Sequence, residues 1–289
     1  MDKDLITYSD EELRDLRDIK VTFLGHSGFL LEFPDLILVF DYYIDPAGIL
    51  PQYREDPRPL VFLVSHFHPD HLNPEIFDFK RSLPTFYIID NTSRIHLKRQ
   101  LIKENEETDS LPASAPRSPH RAYAWAAQPD RKVYVLRPGE EGLPAFLQGT
   151  SIQQIQAFPS TDVGNSYLLT TPEGLFFHAG DLNDWDFQEE NSPEMEKSFR
   201  AIIRQLARHI AGVPLTLCLF PVDERLGDRA TKGAAYLLEH ITCEHFGAMH
   251  NFGENQVQKH FLATLPPQIL PPSHFWPNAH PGDSFTVAP

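Results

Sequence analysis

The chain has 289 residues, which suits one large α/β domain or two small ones, and 41% hydrophobic against 22% charged residues is ordinary for a globular protein with a sizeable core. A formal net charge of −15, with a pI near 5.3, counts against a phosphate-rich polymer as the main partner, while a bound pair of dications would offset part of that charge and leave a small anionic substrate open. Two cysteines, Cys218 and Cys243, rule out a disulfide framework, and no apolar run approaches the roughly 20 residues of a membrane span, so with a charged start lacking a signal-peptide core the expectation is a cytoplasmic protein that does not span a membrane.

Residues 4–17 carry a capped, acidic helical pattern, with Ser9 or Asp10 leading into Glu11-Glu12-Leu13-Arg14-Asp15-Leu16. Strand-like runs follow at Lys20–Leu24, Phe29–Phe33, Ile37–Phe40 and Leu60–Ser65, punctuated by Gly25, Gly28 and the turn pair Pro34-Asp35. Phe86–Asp90 reads as a further strand and Thr92–Glu107 as a helix. Residues 108–130 hold Pro, Ser and Ala but few aliphatics and read as an irregular insertion, a mobile loop rather than a lid. A second β-rich half occupies Lys132–Arg137, Ser151–Phe158, Ser166–Thr170 and Leu175–His178. A helix over Pro193–Ala211, a strand over Leu215–Val222, a helix over Thr231–Ile241 and a short strand over Phe246–His250 complete it. The proline-rich tail after Leu265 is expected to be extended and packed on the surface, or disordered. The order of elements suggests two similar halves packed face to face within one domain spanning 1–289, a four-layer αββα sandwich of the α/β class.

The chemistry concentrates in His66-Phe67-His68-Pro69-Asp70-His71, an H-x-H-x-D-H run directly after the apolar strand Leu60–Ser65. His66 and His68, two apart, point to the same side of an extended segment, and Asp70 and His71 turn toward a second position as the chain bends. Imidazole and carboxylate without thiolate suit Zn, Fe or Mn. More ligand-capable residues recur at strand ends: Asp41 after Leu36–Phe40, Asp162 after Phe158, Asp181 after Phe176–Gly180 and His250 after Phe246–Met249. One such aspartate would mean little, since Asp often opens a turn; the series after H-x-H-x-D-H means more.

With these residues the chain resembles the metallo-β-lactamase superfamily over most of residues 20–255. Gly25-His26-Ser27 on the first hairpin points to the branch resembling ascorbate-6-phosphate lactonase. The resemblance implies that His66 and His68 bind one metal, that Asp70, His71 and His250 bind a second, and that Asp181 bridges the two. Asp41 would steady the ligand cluster from behind. At the third-histidine position of the family this chain has Ser160-Thr161-Asp162-Val163-Gly164. Asp162 either replaces that histidine, which favours Mn or Fe relative to an all-His site, or leaves the first site weak or empty. His178 could fill the role instead, although a supporting or core position suits it better.

Two divalent ions, Zn first and Mn or Fe as alternatives, would share a hydroxide that attacks a carbonyl carbon or phosphorus, with Asp70 as a ligand that assists proton transfer. The expected activity is a metal-dependent hydrolase acting on a small anionic metabolite with a lactone, ester or phosphodiester bond. A nuclease of the same superfamily, a non-catalytic metal-binding or regulatory protein, and an oxygen-reducing di-iron protein are the alternatives. His26 on its turn, and Asp223 and Arg225 after a buried strand, are candidates for facing the substrate; Asn183 and Trp185 are candidates for the pocket mouth or for capping a turn. No G-x-S-x-G and no P-loop occurs. The composition names neither a substrate nor an oligomeric state.

Overall fold

A computed structural model describes residues 18–109, 133–187, 193–250, 256–277 and 280–287. The helix expected over 4–17 and all but the first two residues of the 108–130 insertion lie outside these; residues 108 and 109 belong to the end of a helix.

In the first half, β1 (Ile19–Gly25), β2 (Gly28–Glu32), β3 (Ile37–Phe40), β4 (Leu60–Val64), β5 (Thr85–Asp90) and β6 (Val133–Leu136) line up in chain order, and β14 (Ser284–Val287) pairs with the free edge of β1 to make seven strands. The pairs from β14 to β3 are antiparallel, and those from β3 to β6 are parallel. The second sheet also has seven strands, in the order β13 (Phe275–Pro277), β12 (Cys243–Met249), β11 (Leu215–Pro221), β10 (Gly174–His178), β9 (Asn165–Thr171), β8 (Gln154–Pro159) and β7 (Glu141–Gly142). It is parallel from β10 to β13 and antiparallel from β7 to β10.

The strands of the first sheet are apolar at consecutive positions because both of its faces are covered. Along β3 and β4 the side chains alternate between two cores: Leu38, Phe40, Val61 and Leu63 face the second sheet, whereas Ile37, Val39, Leu60, Phe62 and Val64 pack beneath Leu97 of α1 (Asn91–Asp109). Phe33 and Phe176 meet edge to face across the sheets with centroids 5.6 Å apart. On the far side of the second sheet α2 (Pro193–Ile210) buries Phe199, Ile202, Ile203, Leu206 and Ile210, one stripe at helical spacing. Glu194 and Glu196 in its first turn and Arg208 and His209 in its last complement the helix dipole. α3 (Lys232–His240) packs beside α2, and α4 (Gln256–Thr264) lies against β13. Helix, sheet, sheet and helix form the expected four-layer αββα sandwich.

The tail is more ordered than its proline content suggests. It supplies the edge strand of each sheet, and Ser284–Val287 alternates exposed and buried residues, with Phe285 and Val287 inward. That short period-two pattern was legible beside the prolines. The helix over Gln256–Thr264 and the two-residue strand β7 were not anticipated.

On β12, His245 stacks on His274 with centroids 4.6 Å apart. Burial, with the neighbouring imidazole adding to it, pushes the His245 pKa down to about 4. The unfolded chain titrates this ring near 6.5 and therefore binds more protons between that value and about 4. Stability contributed by keeping His245 neutral is full above the unfolded value and declines as the pH falls through this window. His245→Gln is expected to lose less melting temperature than the parent between pH 7 and pH 4.5 (about the limits of the window), as thermal scans would show; equal losses would place the acid sensitivity elsewhere.

Candidate metal centre

The singled-out residues collect at one edge of the sandwich because they follow strands that run the same way. His26 sits on the β1–β2 turn, Asp41 follows β3, His66–His71 follow β4, and Asp162, Asp181, Asp223 and His250 follow β8, β10, β11 and β12. Two glycines allow the loops to close in. A Cβ on Gly164 (φ 77°) would clash with the Ser65 carbonyl oxygen and lie 2.5 Å from the His66 Cβ; one on Gly180 (φ 54°) would sit 2.7 Å from the Asn165 carbonyl. Gly164→Ala combines a backbone clash with a disfavoured φ, so a loss of about 3 kcal/mol in urea unfolding is expected; an unchanged midpoint would mean the loop can retreat at no cost.

Three histidines are braced in the same way. Asp41, fully buried, accepts hydrogen bonds from the Ser65 amide (2.7 Å), the Ser65 hydroxyl (2.6 Å) and His71 Nδ1 (2.7 Å). Because the Ser65 hydroxyl donates to Asp41, it accepts from His66 Nδ1 at 2.9 Å. Asp223, also fully buried, accepts from His250 Nδ1 at 2.8 Å. With the Nδ1 proton held, each neutral ring presents a lone pair at Nε2. Those lone pairs converge on Asp181: His66 Nε2 lies 3.3 Å from Oδ2, while His71 Nε2 and His250 Nε2 lie 3.0 and 3.3 Å from Oδ1. One carboxylate thus faces His66 with one oxygen and His71 and His250 with the other.

Two groups of four potential ligands result, each with its ligand atoms within 4.8 Å of one another: His66, His68, Asp162 and Asp181, and His26, Asp70, His71 and His250. In the first, His68 Nδ1 stands 3.0 Å from His66 Nε2 and 3.6 Å from Asp162 Oδ2. In the second, His26 Nε2 stands 3.2 Å from Asp70 Oδ2. The donor set fits divalent cations. His71 Nε2 and Asp181 Oδ1 are buried and close, yet neither has a hydrogen-bond partner, the arrangement expected of atoms that share an ion. The local field agrees. Burial raises the Asp181 pKa, but His71, His250 and His66 outweigh it and hold the carboxyl well below its usual range. Burial likewise lowers His71, and Asp181 and Asp41 overcome it, so the ring is held well above its ordinary value. Carboxylates that draw positive charge onto His71 also draw a cation to the atoms they face.

Among the described residues, four non-glycine positions have positive φ, and three are at this centre: His26 (56°), Asp41 (40°) and His250 (63°). Each costs about 1–2 kcal/mol. The strain is held by packing: the His250 amide donates to the His26 carbonyl at 3.0 Å, and the Asp41 amide to the Leu63 carbonyl at 3.0 Å.

The remaining candidates are held by specific partners. Asp223, a candidate for facing the substrate, has its carboxylate buried against His250 and Arg225, behind a potential ligand. His26 reaches ligand distance in the second group. His178 stays out of both groups: its Nε2 donates to the Ser27 carbonyl (3.0 Å), its Nδ1 accepts from the Gly180 amide (3.1 Å), and its ring stacks on Phe40. Asn183 is buried away from the mouth, and both its backbone N–H and C=O bond the Thr161 hydroxyl, which ties the Asp162 loop to the Asp181 loop. Ser65 and Thr161 had not been singled out. Each acts through a hydroxyl beside a ligand, and hydroxyl residues next to turn aspartates and histidines are too common to signal that.

Two mixed sheets flanked by helices, with His/Asp clusters collected at one edge, define this as a protein of metallo-β-lactamase fold. Igni18, a novel metallo hydrolase from the hyperthermophilic archaeon Ignicoccus hospitalis, superposes with a TM-score of 0.58 over 93% of this chain and 98% of its own, at 15% identity. YhfI, a metallo-β-lactamase fold protein from Bacillus subtilis, superposes at 0.53 over 93% and 99%, with 12% identity. In sequence, 58 residues are 43% identical to a UPF0173 metal-dependent hydrolase of Desulforamulus reducens, a stretch covering 20% of this chain and 25% of that relative. The match therefore spans a quarter of the curated relative's length. No family model matches the sequence.

Proposed function

We propose that this chain is a metal-dependent hydrolase acting on a small anionic metabolite through a lactone, ester or phosphodiester bond. The observation that carries the reading is Asp181, set between two ligand groups with one oxygen toward each. Partial matches to proteins named as metal-dependent hydrolases support it. His66, His68 and Asp162 would hold one ion, and Asp70, His71 and His250, with His26 at the same range, would hold the other. Bound divalent ions supply Lewis acidity and activation of water at neutral pH. Asp70, half-buried, keeps its carboxyl well below the usual range because His26 and His71 outweigh the effect of burial, so it is poised to accept a proton only transiently. Imidazole and carboxylate donors favour Zn, Mn or Fe. The Gly25-His26-Ser27 turn favours the branch resembling ascorbate-6-phosphate lactonase. Free, buried Cys218 and Cys243 fit a reducing compartment such as the cytoplasm. No helix among the described residues is long and apolar enough to cross a membrane.

Chelator-stripped protein reloaded with Zn, Mn or Fe should take up about two ions per chain and hydrolyse at least one probe of the three bond types. Full loading without turnover on any of them would sink the hydrolase reading and leave a metal-binding protein. Asp162→Ala tests the first group. Its carboxylate is 42% exposed and the most loosely placed of that set, so its loss should lower the uptake from about two ions to about one. Unchanged uptake in elemental analysis would remove Asp162 from the ligands.

A further inference from the structure

A cavity of about 380 Å³ opens directly over the ligand groups, within the range of roughly 300–1,000 Å³ typical for small-molecule sites. Its walls are unlike its floor. The floor is acidic and histidine-rich, with His68, Asp70, Asp162 and Asp181 reaching it. One wall carries Arg225, the one guanidinium or ammonium among the described residues lining the space. The other wall is apolar, made by Trp185, Phe187 and Met195.

Both walls are built firmly. Arg225 pairs with Asp223 through Nε (3.0 Å to Oδ1 and 2.9 Å to Oδ2) and through Nη2 (2.5 Å to Oδ2), with Nη2 also 3.3 Å from His250 Nδ1; its side chain is 49% exposed while that of Asp223 is 0% exposed. The buried carboxylate aims the guanidinium, so little side-chain entropy remains to be lost when a second anion binds. Asp223 also accepts from His250 and from the Arg225 amide, so its charge is shared and does not belong to the guanidinium alone. Trp185 is held by its indole N–H, which donates to the Asp181 carbonyl at 2.8 Å, and its ring meets His250 edge-on at 5.2 Å. Phe187 runs parallel to Trp185, 4° from coplanar, with centroids 6.1 Å apart. Phe187 is 40% exposed and is the one aromatic among the described large hydrophobic side chains left open to solvent. An exposed ring stacked on a fixed indole beside a cavity is surface that a ligand can cover.

We infer that the cavity selects an amphiphilic anion: a carboxylate or phosphate paired with Arg225 and an aromatic or acyl body laid against Trp185, Phe187 and Met195, with the scissile bond held over the ligand groups. The inference rests on the hydrolase reading only in taking those groups as the reacting floor. It narrows the substrate class, because a small fully polar anion would leave the aromatic wall wet and a neutral lipid would make no use of the exposed part of the Arg225 guanidinium beside its Asp223 pair.

The test uses the metal-loaded full chain and calorimetric titration. Probes are 4-phenylbutyrate and 3-phenylpropyl phosphate, with acetate and inorganic phosphate as heads alone and 4-phenylbutanol as a body alone. The two amphiphilic anions should bind about tenfold or more tighter than head or body alone, and the tighter of the two identifies the head group. Arg225→Gln should weaken them about tenfold or more, with partial recovery in Arg225→Lys. Phe187→Ala should weaken them while leaving acetate and inorganic phosphate unchanged. Amphiphilic anions no tighter than bare heads, or an Arg225→Gln variant with normal metal content and undiminished affinity for them, would overturn the inference. Failure of the hydrolase reading appears separately in the same samples, as absent metal uptake or absent turnover.

Discussion

With the proposed pair of ions loaded, Asp181→Asn is expected to cost the protein both together. Among the described residues it is the one carboxylate whose two oxygens face different groups of potential ligands, 3.3 Å from His66 on one side and 3.0 and 3.3 Å from His71 and His250 on the other. An amide of the same shape keeps the packing but replaces one acceptor oxygen with a donating NH₂ and removes the negative charge that offsets two cations. Loss of an outer partner of a ligand costs about 10–100-fold in affinity, and loss of a shared ligand should exceed that. Equilibrium dialysis with elemental analysis, alongside circular dichroism to confirm the fold, reads the result. Retention of one ion at parental affinity would show that Asp181 serves a single group, and retention of both would remove it from the centre.

The positions of the candidate ligands were legible for a physical reason. A strand buried on both faces writes itself as an unbroken apolar run, as in Leu60–Val64, and the residue after it lies at the sheet edge. H-x-H-x-D-H after such a run, and single acids or histidines after four others, therefore pointed to one edge before any coordinates did. What each residue does there was harder to read. Asp41 and His71 are 30 residues apart and Asp223 and His250 are 27 apart. Both acids end an apolar strand, and nothing local says that one braces a ligand from β4 and the other a ligand from β12. His26 stood out as a substrate-facing candidate on its turn but not as a potential ligand, because its approach to Asp70 depends on the left-handed backbone at φ 56°. His178, three residues before Asp181, suited a supporting or core position better than a ligand role, but its partner could not be named. It is occupied by Ser27, 151 residues away in the chain.

The same pairing logic makes Asp41→Asn a sharp test of the bracing. Oδ2 of Asp41 accepts from the His71 ring and from the Ser65 hydroxyl, and Oδ1 accepts from the Ser65 amide. Asparagine can preserve the amide contact through its oxygen, and it tolerates the positive φ of 40° better than most residues. Its NH₂ then points at two donors. His71 can relieve the conflict by accepting at Nδ1, which moves its proton to Nε2, the atom that faces Asp181. The ring would keep its place and lose its lone pair. Ser65 must turn its hydroxyl proton away from position 41 as well, which disturbs the acceptor now holding His66 Nδ1 at 2.9 Å. One substitution behind the centre thus disturbs a ligand in each group, and metal affinity should fall about 100-fold with the fold intact. Long-range nitrogen–proton NMR of the histidines distinguishes this from simple loosening: the His71 proton should be on Nδ1 in the parent and on Nε2 in the variant. An unchanged tautomer together with unchanged affinity would mean that Asp41 fills space and directs nothing.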